Sequence, residues 1–277
     1  MKLVDRVVVI TGAGSGIGRA LALDLAKRGN RVAISDVNEE GLERTRADVA
    51  ALGVDVSAQP LDVSDRDAVY AWADAVERDL GAAHLVVNNA GVALAATLRE
   101  VSDEDFEWLM NINFWGVVYG TRAFLPQLER QDAGHVVNIS SVFGIIAFPH
   151  NGTYNAAKFA VRGYTEALRM ELKLAGSTVS ATCVHPGGIK TNIARSARVY
   201  DEEAFGGGDV GDEFEAMART TPEQCAEQIL RGVQADAPRV LVGPDARLID
   251  TIQRLVPTGY QRIVQRFIRM RRGTIRS

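Results

Sequence analysis

The sequence predicts an α/β fold, a doubly wound parallel sheet of seven strands with helices on both faces. Short runs rich in β-branched residues recur along the chain, and segments with helical periodicity lie between them, which indicates βαβ units. Several of these runs are apolar throughout, as expected for strands that are covered on both faces. The 277 residues are 47% hydrophobic and 24% charged, which is typical of a globular protein.

The predicted strands follow one another as short apolar runs: RVVVIT (6–11), RVAISD (31–36), VSAQPLDV (56–63), HLVVNNAG (84–91), GHVVNISS (134–141), TVSATCVHPG (178–187) and RVLVG (239–243). Helix boundaries fit between them. Gly29 is a stop signal for the first helix, and Ser64 with Asp67 is a candidate capping box for a helix over 65–79. Because no repeat or linker interrupts this alternation, residues 1–250 are predicted to form one domain.

Composition and charge narrow the class of protein. Cys183 and Cys225 are too few for a disulfide framework and fit a reducing cytoplasm. The net charge of −4 gives no general reason to expect a nucleic-acid partner. The N-terminus lacks a signal-peptide pattern, and no apolar run approaches the length of about 18 residues needed to span a membrane. We therefore expect a cytoplasmic protein.

A glycine-rich segment, TGAGSGIG, follows the first strand and opens the first helix. At such a turn, backbone N–H groups and the positive end of the helix dipole can bind a pyrophosphate. The spacing is TGxxxGxG and not GxGxxG, and a merely tight strand-to-helix turn is the alternative. The residues predicted to bind a dinucleotide here are Gly12, Ser15, Gly16, Ile17 and Gly18.

Carboxylates follow the second and third strands. Asp36 can accept hydrogen bonds from the ribose hydroxyls of adenosine and repel a 2′-phosphate, or it can be a turn or cap residue. Because Ser15 and Val37 supply no cation for a 2′-phosphate, NAD is favoured over NADP. Asp62, followed by Val63, is predicted to contact the adenine, although a turn residue fits Asp62 equally well.

Small residues end the fourth strand in the segment NNAG (88–91). Asn89, Ala90 and Gly91 are therefore predicted to lie beside the cofactor. The alternative is that the asparagines only stabilise a turn.

The segment YNAAK places Tyr154 and Lys158 four residues apart, on one face of a helix. A phenol with a pKa of about 10 is a poor base at neutral pH. A nearby ammonium and the positive charge of an oxidised nicotinamide would lower this pKa towards 7, which would make Tyr154 a general acid and base. Taken alone, a tyrosine and a lysine at this spacing more often have no catalytic role, and one of them packs in the core while the other lies at the surface.

Together with an asparagine in MNINFWG, a serine thirteen residues before the tyrosine and a later Pro-Gly pair, these segments resemble the short-chain dehydrogenase/reductase family in its shorter form. The resemblance covers about residues 5 to 245. It implies a Rossmann-type fold, an NAD(P)-dependent oxidoreductase acting on CH–OH groups, and assembly as a homodimer or homotetramer.

The resemblance also implies catalytic roles. Tyr154 is the acid and base, and Lys158 lowers its pKa while binding the nicotinamide ribose. Ser141 polarises or orients the substrate oxygen. Asn113 holds a water molecule in a proton relay, although Asn111 is a rival and an amide bonded to the helix backbone is the alternative.

The stretch HPGGIKTN (185–192) resembles the family's segment beside the nicotinamide. The resemblance implies cofactor contacts from Pro186, Gly187, Ile189 and Thr191, and a Pro-Gly turn that closes a strand is the alternative. No metal is expected, because His150 and His185 lack partners at ligand spacing.

The expected function is hydride transfer between NAD(H) and a secondary alcohol or ketone, most readily a hydrophobic one. Two alternatives stay open: an NADP-dependent carbonyl reductase, and a non-catalytic protein that senses NAD(H). Residues 193–220 are rich in glycine and acids and are predicted to form a substrate loop that orders on binding. Five residues are expected to form apolar walls of the site: Phe143, Ile145, Ile146, Phe148 and Phe205. Packing in the core is an equally good explanation for each of them.

The tail, residues 251–277, is basic, with seven arginines and no acid from residue 254 onwards. Its helical periodicity separates an apolar face from a polar one. The predicted apolar face holds Tyr260, Ile263, Val264, Phe267 and Ile268, and the opposite face holds Arg262, Gln265, Arg266 and Arg269. Three interpretations compete: packing on the body or another subunit, weak peripheral contact with an anionic membrane, and a nucleic-acid contact, which the acidic body disfavours.

Overall fold

The structure is a computed structural model that describes residues 1–200 and 218–275, without the side chains of residues 267 and 270–275. Residues 201–217 of the predicted substrate loop, including Phe205, therefore lie outside the described residues. The same holds for the side chain of Phe267 on the predicted apolar face of the tail.

Seven parallel strands form the central sheet in the order β3-β2-β1-β4-β6-β7-β9. These strands are β1 (Val7–Thr11), β2 (Arg31–Asp36), β3 (Val56–Pro60), β4 (Leu85–Asn88), β6 (Gly134–Ile139), β7 (Val179–Pro186) and β9 (Arg239–Val242). A second, two-stranded parallel sheet pairs β5 (Leu94–Ala95) with β8 (Arg198–Val199). The predicted seven-stranded sheet is confirmed. Its strand order reverses between β1 and β4, which opens a crevice at their carboxyl ends.

Helices cover both faces of the sheet. They are α1 (Gly16–Lys27), α2 (Glu39–Ala50), α3 (Arg66–Leu80), α4 (Asp103–Met110), α5 (Gly116–Glu129), α6 (Gly152–Leu174), α7 (Pro222–Gln234), α8 (Pro244–Leu255) and α9 (Tyr260–Ile275). A π-helical turn, Asn111–Trp115, joins α4 to α5, and a 3-10 turn, Val142–Gly144, precedes α6.

Two apolar cores lie on opposite faces of the sheet. Helices α1 and α7 contribute Leu21, Leu25 and Ile229 to one core. Helices α3 and α5 contribute Trp72 and Phe124 to the other, and their rings meet edge to face with centroids 5.4 Å apart. Because every residue of β1 is buried, the apolar strand is covered on both faces, as its sequence predicts.

A row of buried polar side chains crosses the sheet beneath the carboxyl ends of the strands. The Asn88 amide donates to the Asn138 side chain (2.8 Å) and to the Thr121 hydroxyl (3.0 Å). The Asn138 amide in turn donates to the Thr165 hydroxyl (3.0 Å). Buried side chains that are hydrogen-bonded to one another restrict the arrangement of the elements that carry them. The row therefore fixes α5 and α6 relative to β4 and β6.

The helix boundaries are partly as predicted. Gly29 ends α1, with its N–H bonded to the Ala26 carbonyl (2.9 Å). The predicted capping box of Ser64 and Asp67 is wrong, because Asp65 caps α3 by accepting from the Ala68 N–H (3.0 Å). The Ser64 hydroxyl donates to Asp62 instead (2.7 Å), and this local bond removes it from the helix end.

The C-terminal segment packs on the segment that follows β6. Tyr260 and Val264 contact a cluster containing Ile145 and Ile146, and the Tyr260 hydroxyl accepts from the Ala147 N–H (3.1 Å). On the predicted apolar face, Tyr260 is buried, whereas 53% of the surface of Ile263 is exposed. Within the residues that the structure describes, no helix is long and apolar enough to cross a membrane.

Candidate active site

Three of the predicted catalytic residues meet at the carboxyl end of β6. The Lys158 ammonium lies 5.4 Å from the centre of the Tyr154 ring, one helical turn away on α6. The Ser141 hydroxyl lies close enough to the phenol to act on its pKa, and it also accepts from the Phe143 N–H (3.1 Å). The predicted grouping of a hydroxyl, a phenol and an ammonium is therefore present.

The structure distinguishes the two serines that follow β6. Ser140 is buried, and its hydroxyl donates to the Lys158 carbonyl (2.8 Å). That bond holds α6 against the strand, whereas Ser141 faces the phenol. The sequence-based choice of Ser141 over Ser140 agrees with this geometry.

Lys158 is almost fully buried, with 3% of its surface exposed. Its ammonium donates to the Ile139 carbonyl at the end of β6 (3.1 Å). Burial penalises the charged form and lowers the pKa of Lys158 to about 8, which a weaker interaction with Cys183 opposes. Lys158 is therefore protonated at neutral pH, but it loses its proton more readily than an exposed lysine does.

The pKa of Tyr154 differs from the sequence-based expectation. Burial raises this pKa to about 12, and the hydrogen bond with Ser141 lowers it only in part. The predicted shift towards 7 requires the charge of an oxidised nicotinamide; in the free protein, desolvation of the phenolate outweighs the hydrogen bond with Ser141. At neutral pH the phenol is protonated, which is the form that donates a proton.

Asn113 lies in the π-helical turn and is fully buried, whereas its rival Asn111 is exposed. Its side-chain oxygen accepts from the Val92 N–H and its amide donates to the Val92 carbonyl, both at 2.8 Å. The side chain of Asn113 therefore bonds the backbone of the segment after β4, and not the backbone of its own helix. A Cβ on Gly91 would stand 3.1 Å from the Asn113 oxygen and 3.6 Å from the Lys158 ammonium, so the three residues are neighbours.

The N-terminus of α1 has no capping side chain. Ser15 is the N-cap residue and is exposed, but its hydroxyl makes no cap hydrogen bond. By contrast, side chains cap α2, α3, α4 and α7. The N–H groups at Gly16, Ile17 and Gly18 therefore lack a side-chain acceptor, and an anion can bind them.

The turn before α1 is held from the neighbouring strand. Gly12 has φ +65°, and a Cβ there would stand 2.7 Å from the Ala90 Cα, so no side chain fits. The Asn89 amide donates to the carbonyls of Thr11 and Gly12, both at 3.0 Å. The Thr11 hydroxyl accepts from the N–H groups of Asn89 and Ala90, both at 3.0 Å. Thr11 was not predicted as a site residue, although it begins the TGxxxGxG segment.

The carboxylates after β2 and β3 differ in their surroundings. Asp36 accepts from the Gly14 N–H (2.8 Å) and the Asn38 N–H (2.9 Å), which places it against the glycine-rich turn. Asp62 accepts from the N–H (2.9 Å) and hydroxyl of Ser64, so it forms the turn that was the alternative to an adenine contact. Val63 is buried against Gly116.

The segment after β7 faces the glycine-rich turn across the crevice. A Cβ on Gly16 would stand 3.1 Å from the Thr191 methyl carbon. Pro186 ends β7, and the Gly187 N–H continues the sheet to the Val242 carbonyl (3.0 Å). The Ile189 side chain is 3% exposed and packs in the core. Ile189 therefore offers little surface to a cofactor.

Asp245, in the first turn of α8, supports this segment and was missed in the sequence. Its carboxylate accepts from the Gly188 N–H (2.6 Å). A Cβ on Gly187 would overlap the same carboxylate. The glycine pair therefore leaves room for Asp245 to hold the backbone, and no local pattern links residues so far apart in the chain.

His185 also supports the site, although the sequence gives it no predicted role. It is fully buried, and burial lowers its pKa to about 4. Its Nδ1 lies 2.8 Å from the Ser141 carbonyl oxygen, so the neutral ring donates to that oxygen. His185 thereby fixes the backbone of the predicted catalytic serine.

The described residues that were predicted as apolar walls of the site are two phenylalanines and two isoleucines. Phe143 and Phe148 stack with centroids 5.5 Å apart, and Phe143 meets the Tyr154 ring edge to face at 6.2 Å. Ile145 and Ile146 pack in a buried cluster with Tyr260, and Phe143 also packs against this cluster. Of the predicted apolar walls that are described, only the two phenylalanines lie at the site.

These residues fit a dinucleotide on structural grounds. One crevice contains three features that suit such a ligand: the uncapped N-terminus of α1, the turn at Gly12 that excludes a side chain, and the Asp36 carboxylate at the end of β2. The predicted phenol and ammonium lie at the carboxyl end of β6. Among the described residues, no group of three or more histidines, cysteines or acids could hold a metal ion.

The contact between Gly187 and Asp245 predicts a non-additive pair of substitutions. We expect Gly187→Ala to lower the free energy of unfolding by about 2 kcal/mol, because the new Cβ overlaps the carboxylate. Asp245→Ala removes both the overlap and a hydrogen bond, so the double variant should be more stable than the sum of the single effects by about 1 kcal/mol. Urea unfolding of the four proteins measures this.

The control for this pair is Gly163→Ala, an exposed helical position with nothing within 4 Å of the added Cβ. That change should be neutral or stabilising, because alanine is the better helix former. Single effects at Gly187 and Asp245 that add within about 0.5 kcal/mol would show that the carboxylate does not restrict Gly187.

The buried ammonium predicts a dependence of stability on pH. The pKa of Lys158 falls from 10.5 to about 8 on folding, so between these values the unfolded chain holds a proton that the folded protein releases. The free energy of unfolding therefore rises with pH in this window, by up to about 1.4 kcal/mol per pH unit. This gain in stability is lost again as the pH falls through 8. The difference in unfolding free energy between the wild type and Lys158→Met measures it, with exposed Lys173→Met as control. A difference that is flat across the window would contradict the burial of a titrating ammonium.

Comparisons with known proteins agree with this geometry. The family model described as short chain dehydrogenase matches residues 6–201. A Mycobacterium tuberculosis protein named SadH, described as an oxidoreductase, is 48% identical over 261 residues, which are 94% of each chain.

Two solved structures are similar to this fold. One is a short chain dehydrogenase/reductase from Burkholderia phymatum in complex with NAD, with a TM-score of 0.86, 31% identity, and coverage of 92% of this chain and 94% of that one. The other is an alcohol dehydrogenase from Thermococcus sibiricus with 5-hydroxy-NADP, with a TM-score of 0.71, 28% identity, and coverage of 85% and 93%. The family match covers most of the chain, so this protein belongs to the short chain dehydrogenase family.

Proposed function

We propose that this protein transfers a hydride between NAD(H) and a secondary alcohol or ketone of apolar character. The observation that carries the proposal is the grouping of Ser141, Tyr154 and Lys158 at the carboxyl end of β6. The same crevice contains the uncapped end of α1 and the Asp36 carboxylate. Membership of the short chain dehydrogenase family supports an oxidoreductase with a nicotinamide cofactor.

The protein's own residues have distinct tasks in this proposal. The turn over 12–18 holds the pyrophosphate, and Thr191 with the backbone at 186–189 lies at the nicotinamide end. When bound, the nicotinamide supplies the hydride donor or acceptor. Ser141 donates a hydrogen bond to the substrate oxygen, and Tyr154 exchanges a proton with the same oxygen.

The protonated state of Tyr154 in the free protein favours reduction of a carbonyl group over oxidation of an alcohol. With a pKa of about 12, the phenol carries a proton at neutral pH and can give it to a carbonyl oxygen as it is reduced. Alcohol oxidation needs the phenolate, whose charge the Lys158 ammonium stabilises. Because the pKa of Lys158 is about 8, that support weakens in alkaline solution.

The preference for NAD rests on the end of β2. Asp36 is the charged group at this point, and its neighbours Ser15, Val37 and Asn38 carry no positive charge. A 2′-phosphate placed beside this carboxylate would be repelled, whereas ribose hydroxyls can donate to it.

An apolar substrate is proposed from the two phenylalanines. Phe143 touches the Tyr154 ring, and Phe148 stacks on Phe143, so apolar surface adjoins the predicted acid. Assembly as a homodimer or homotetramer is proposed through α5 and α6. Exposed aromatic residues support this surface, since Trp115 is 42% exposed and Phe159 is 40% exposed.

Removing the phenolic hydroxyl tests the chemistry. We expect Tyr154→Phe to lower kcat by about 10³-fold with a hydrophobic secondary alcohol, because a positioned acid and base contributes about 10² to 10⁴. The Kd for NADH, measured by fluorescence, should stay unchanged. Tyr164→Phe changes a tyrosine of the same helix and should keep its activity. Equal turnover by Tyr154→Phe and the wild type would refute the role, and NADH binding without turnover of any alcohol or ketone would favour the non-catalytic alternative.

Neutralising Asp36 tests the cofactor preference. We expect wild type to bind NADH more tightly than NADPH, and Asp36→Asn to raise the Kd for NADH by about 10- to 100-fold, because a hydrogen bond to a charged group contributes about 1.5 to 3 kcal/mol. The Kd for NADPH should fall as the repulsion is removed. Asp62→Asn is the control, since Asp62 is engaged in its own turn. Tighter NADPH binding by wild type would favour the NADP-dependent carbonyl reductase.

A further inference from the structure

The outward sides of α8 and α9 both carry basic and apolar residues, and together they are named here the outer C-terminal surface. Its apolar members are all well exposed: Leu248 at 61%, Leu255 at 77%, Val256 at 41% and Ile263 at 53%. Exposed arginines alternate with them along the same helices: Arg247, Arg254, Arg262, Arg266 and Arg269. Large apolar side chains exposed next to one another indicate contact with something outside the chain.

This surface is not needed for the helices to pack on the body. The inward sides of α8 and α9 bring Ile249, Ile252, Tyr260 and Val264 against the segment after β6. Leu248 and Leu255 are seven residues apart, which places them together on the opposite side of α8. The outer apolar residues are therefore additional to a core that is already filled.

Charge is strongly segregated in this part of the molecule. Between residues 244 and 275 the chain has only two acids, Asp245 and Asp250. Asp245 bonds the Gly188 N–H, and Asp250 is 7% exposed and bonds Arg239 and Arg254. Both acids are thus engaged with other residues of the body. Among the described residues of these two helices, the outer side holds only positive charge, although the whole chain has a net charge of −4.

The other arginines of these helices lack an acidic partner among the described residues. Arg247, Arg262, Arg266 and Arg269 form no ion pair with any residue that the structure describes. Elsewhere, exposed arginines such as Arg44 and Arg46 pair with glutamates one turn away. Free arginines interleaved with exposed leucine, isoleucine and valine match the interface of an anionic bilayer, where apolar side chains insert and cations meet headgroups.

We propose that the outer C-terminal surface docks this protein on an anionic lipid surface. A second copy of the chain fits less well, because a two-fold contact would set this surface against itself and bring arginines together. A nucleic acid would use the arginines but leave the four apolar side chains exposed to water. A lipid surface satisfies both sets of side chains.

The helices that would dock on lipid also contact the candidate substrate site through their inward side. The Tyr260 hydroxyl accepts from the Ala147 N–H, and Ala147 adjoins Phe148 in the segment that carries the aromatic residues beside Tyr154. The docking helix and the proposed apolar end of the site therefore share a backbone contact.

Co-sedimentation of the purified full-length protein with vesicles tests the proposal without using activity. We expect binding to vesicles of phosphatidylcholine with phosphatidylglycerol, little binding to phosphatidylcholine alone, and release as salt is added. Arg262→Gln with Arg266→Gln should lower the partition coefficient by about 30-fold, because each basic side chain near such a surface contributes about 1 kcal/mol. Leu255→Ser with Ile263→Ser should lower it without changing the charge.

The matched control is Arg44→Gln with Arg46→Gln, which removes the same charge from α2 and should leave vesicle binding unchanged. Thermal unfolding of each variant shows that it is folded. Failure of wild type to bind anionic vesicles, or equal binding of neutral and anionic vesicles, would overturn the proposal. So would a loss of oligomerisation in Leu255→Ser with Ile263→Ser, or binding of a DNA duplex through these arginines in place of vesicles.

Discussion

A buried ammonium at the carboxyl end of β6 is the interaction on which the candidate site depends. Lys158 gives up hydration and gains a hydrogen bond to the Ile139 carbonyl, and its lowered pKa reflects the cost of that burial. Ser140 holds the backbone of the same residue, and Thr165 ties α6 to Asn138. The strand end and the helix are thereby locked together, and Tyr154, one turn from Lys158, is placed by the same bonds.

Patterns that act within one element predicted most of this arrangement. Apolar runs gave the seven strands because each strand is covered on both faces, and the four-residue spacing placed Tyr154 and Lys158 together because helix geometry is regular. Gly12 was found because a tight turn needs glycine. These features depend on a few neighbouring residues, so the sequence displays them directly.

Features that depend on distant residues were not visible. Asp245 supports Gly188 across 57 positions, and His185 donates to a carbonyl 44 positions away. Neither leaves a local pattern. The raised pKa of Tyr154 in the free protein depends on how much water the fold excludes. The exposure of Ile263 depends on which neighbours cover the helix, whereas helical periodicity shows only its two faces.

The pKa shifts of Tyr154 and Lys158 together explain how the protonation of this site can depend on the charge of a bound nicotinamide. In the free protein, burial opposes charge on both groups, raising the pKa of Tyr154 and lowering that of Lys158. Such a site changes its protonation readily when a charge enters, because electrostatic interactions are strong where water is excluded. A cationic ring favours the phenolate, and a neutral ring favours the phenol. Tyr154 would therefore be the better base beside an oxidised nicotinamide and the better acid beside a reduced one, which are the forms that oxidation and reduction of a substrate require.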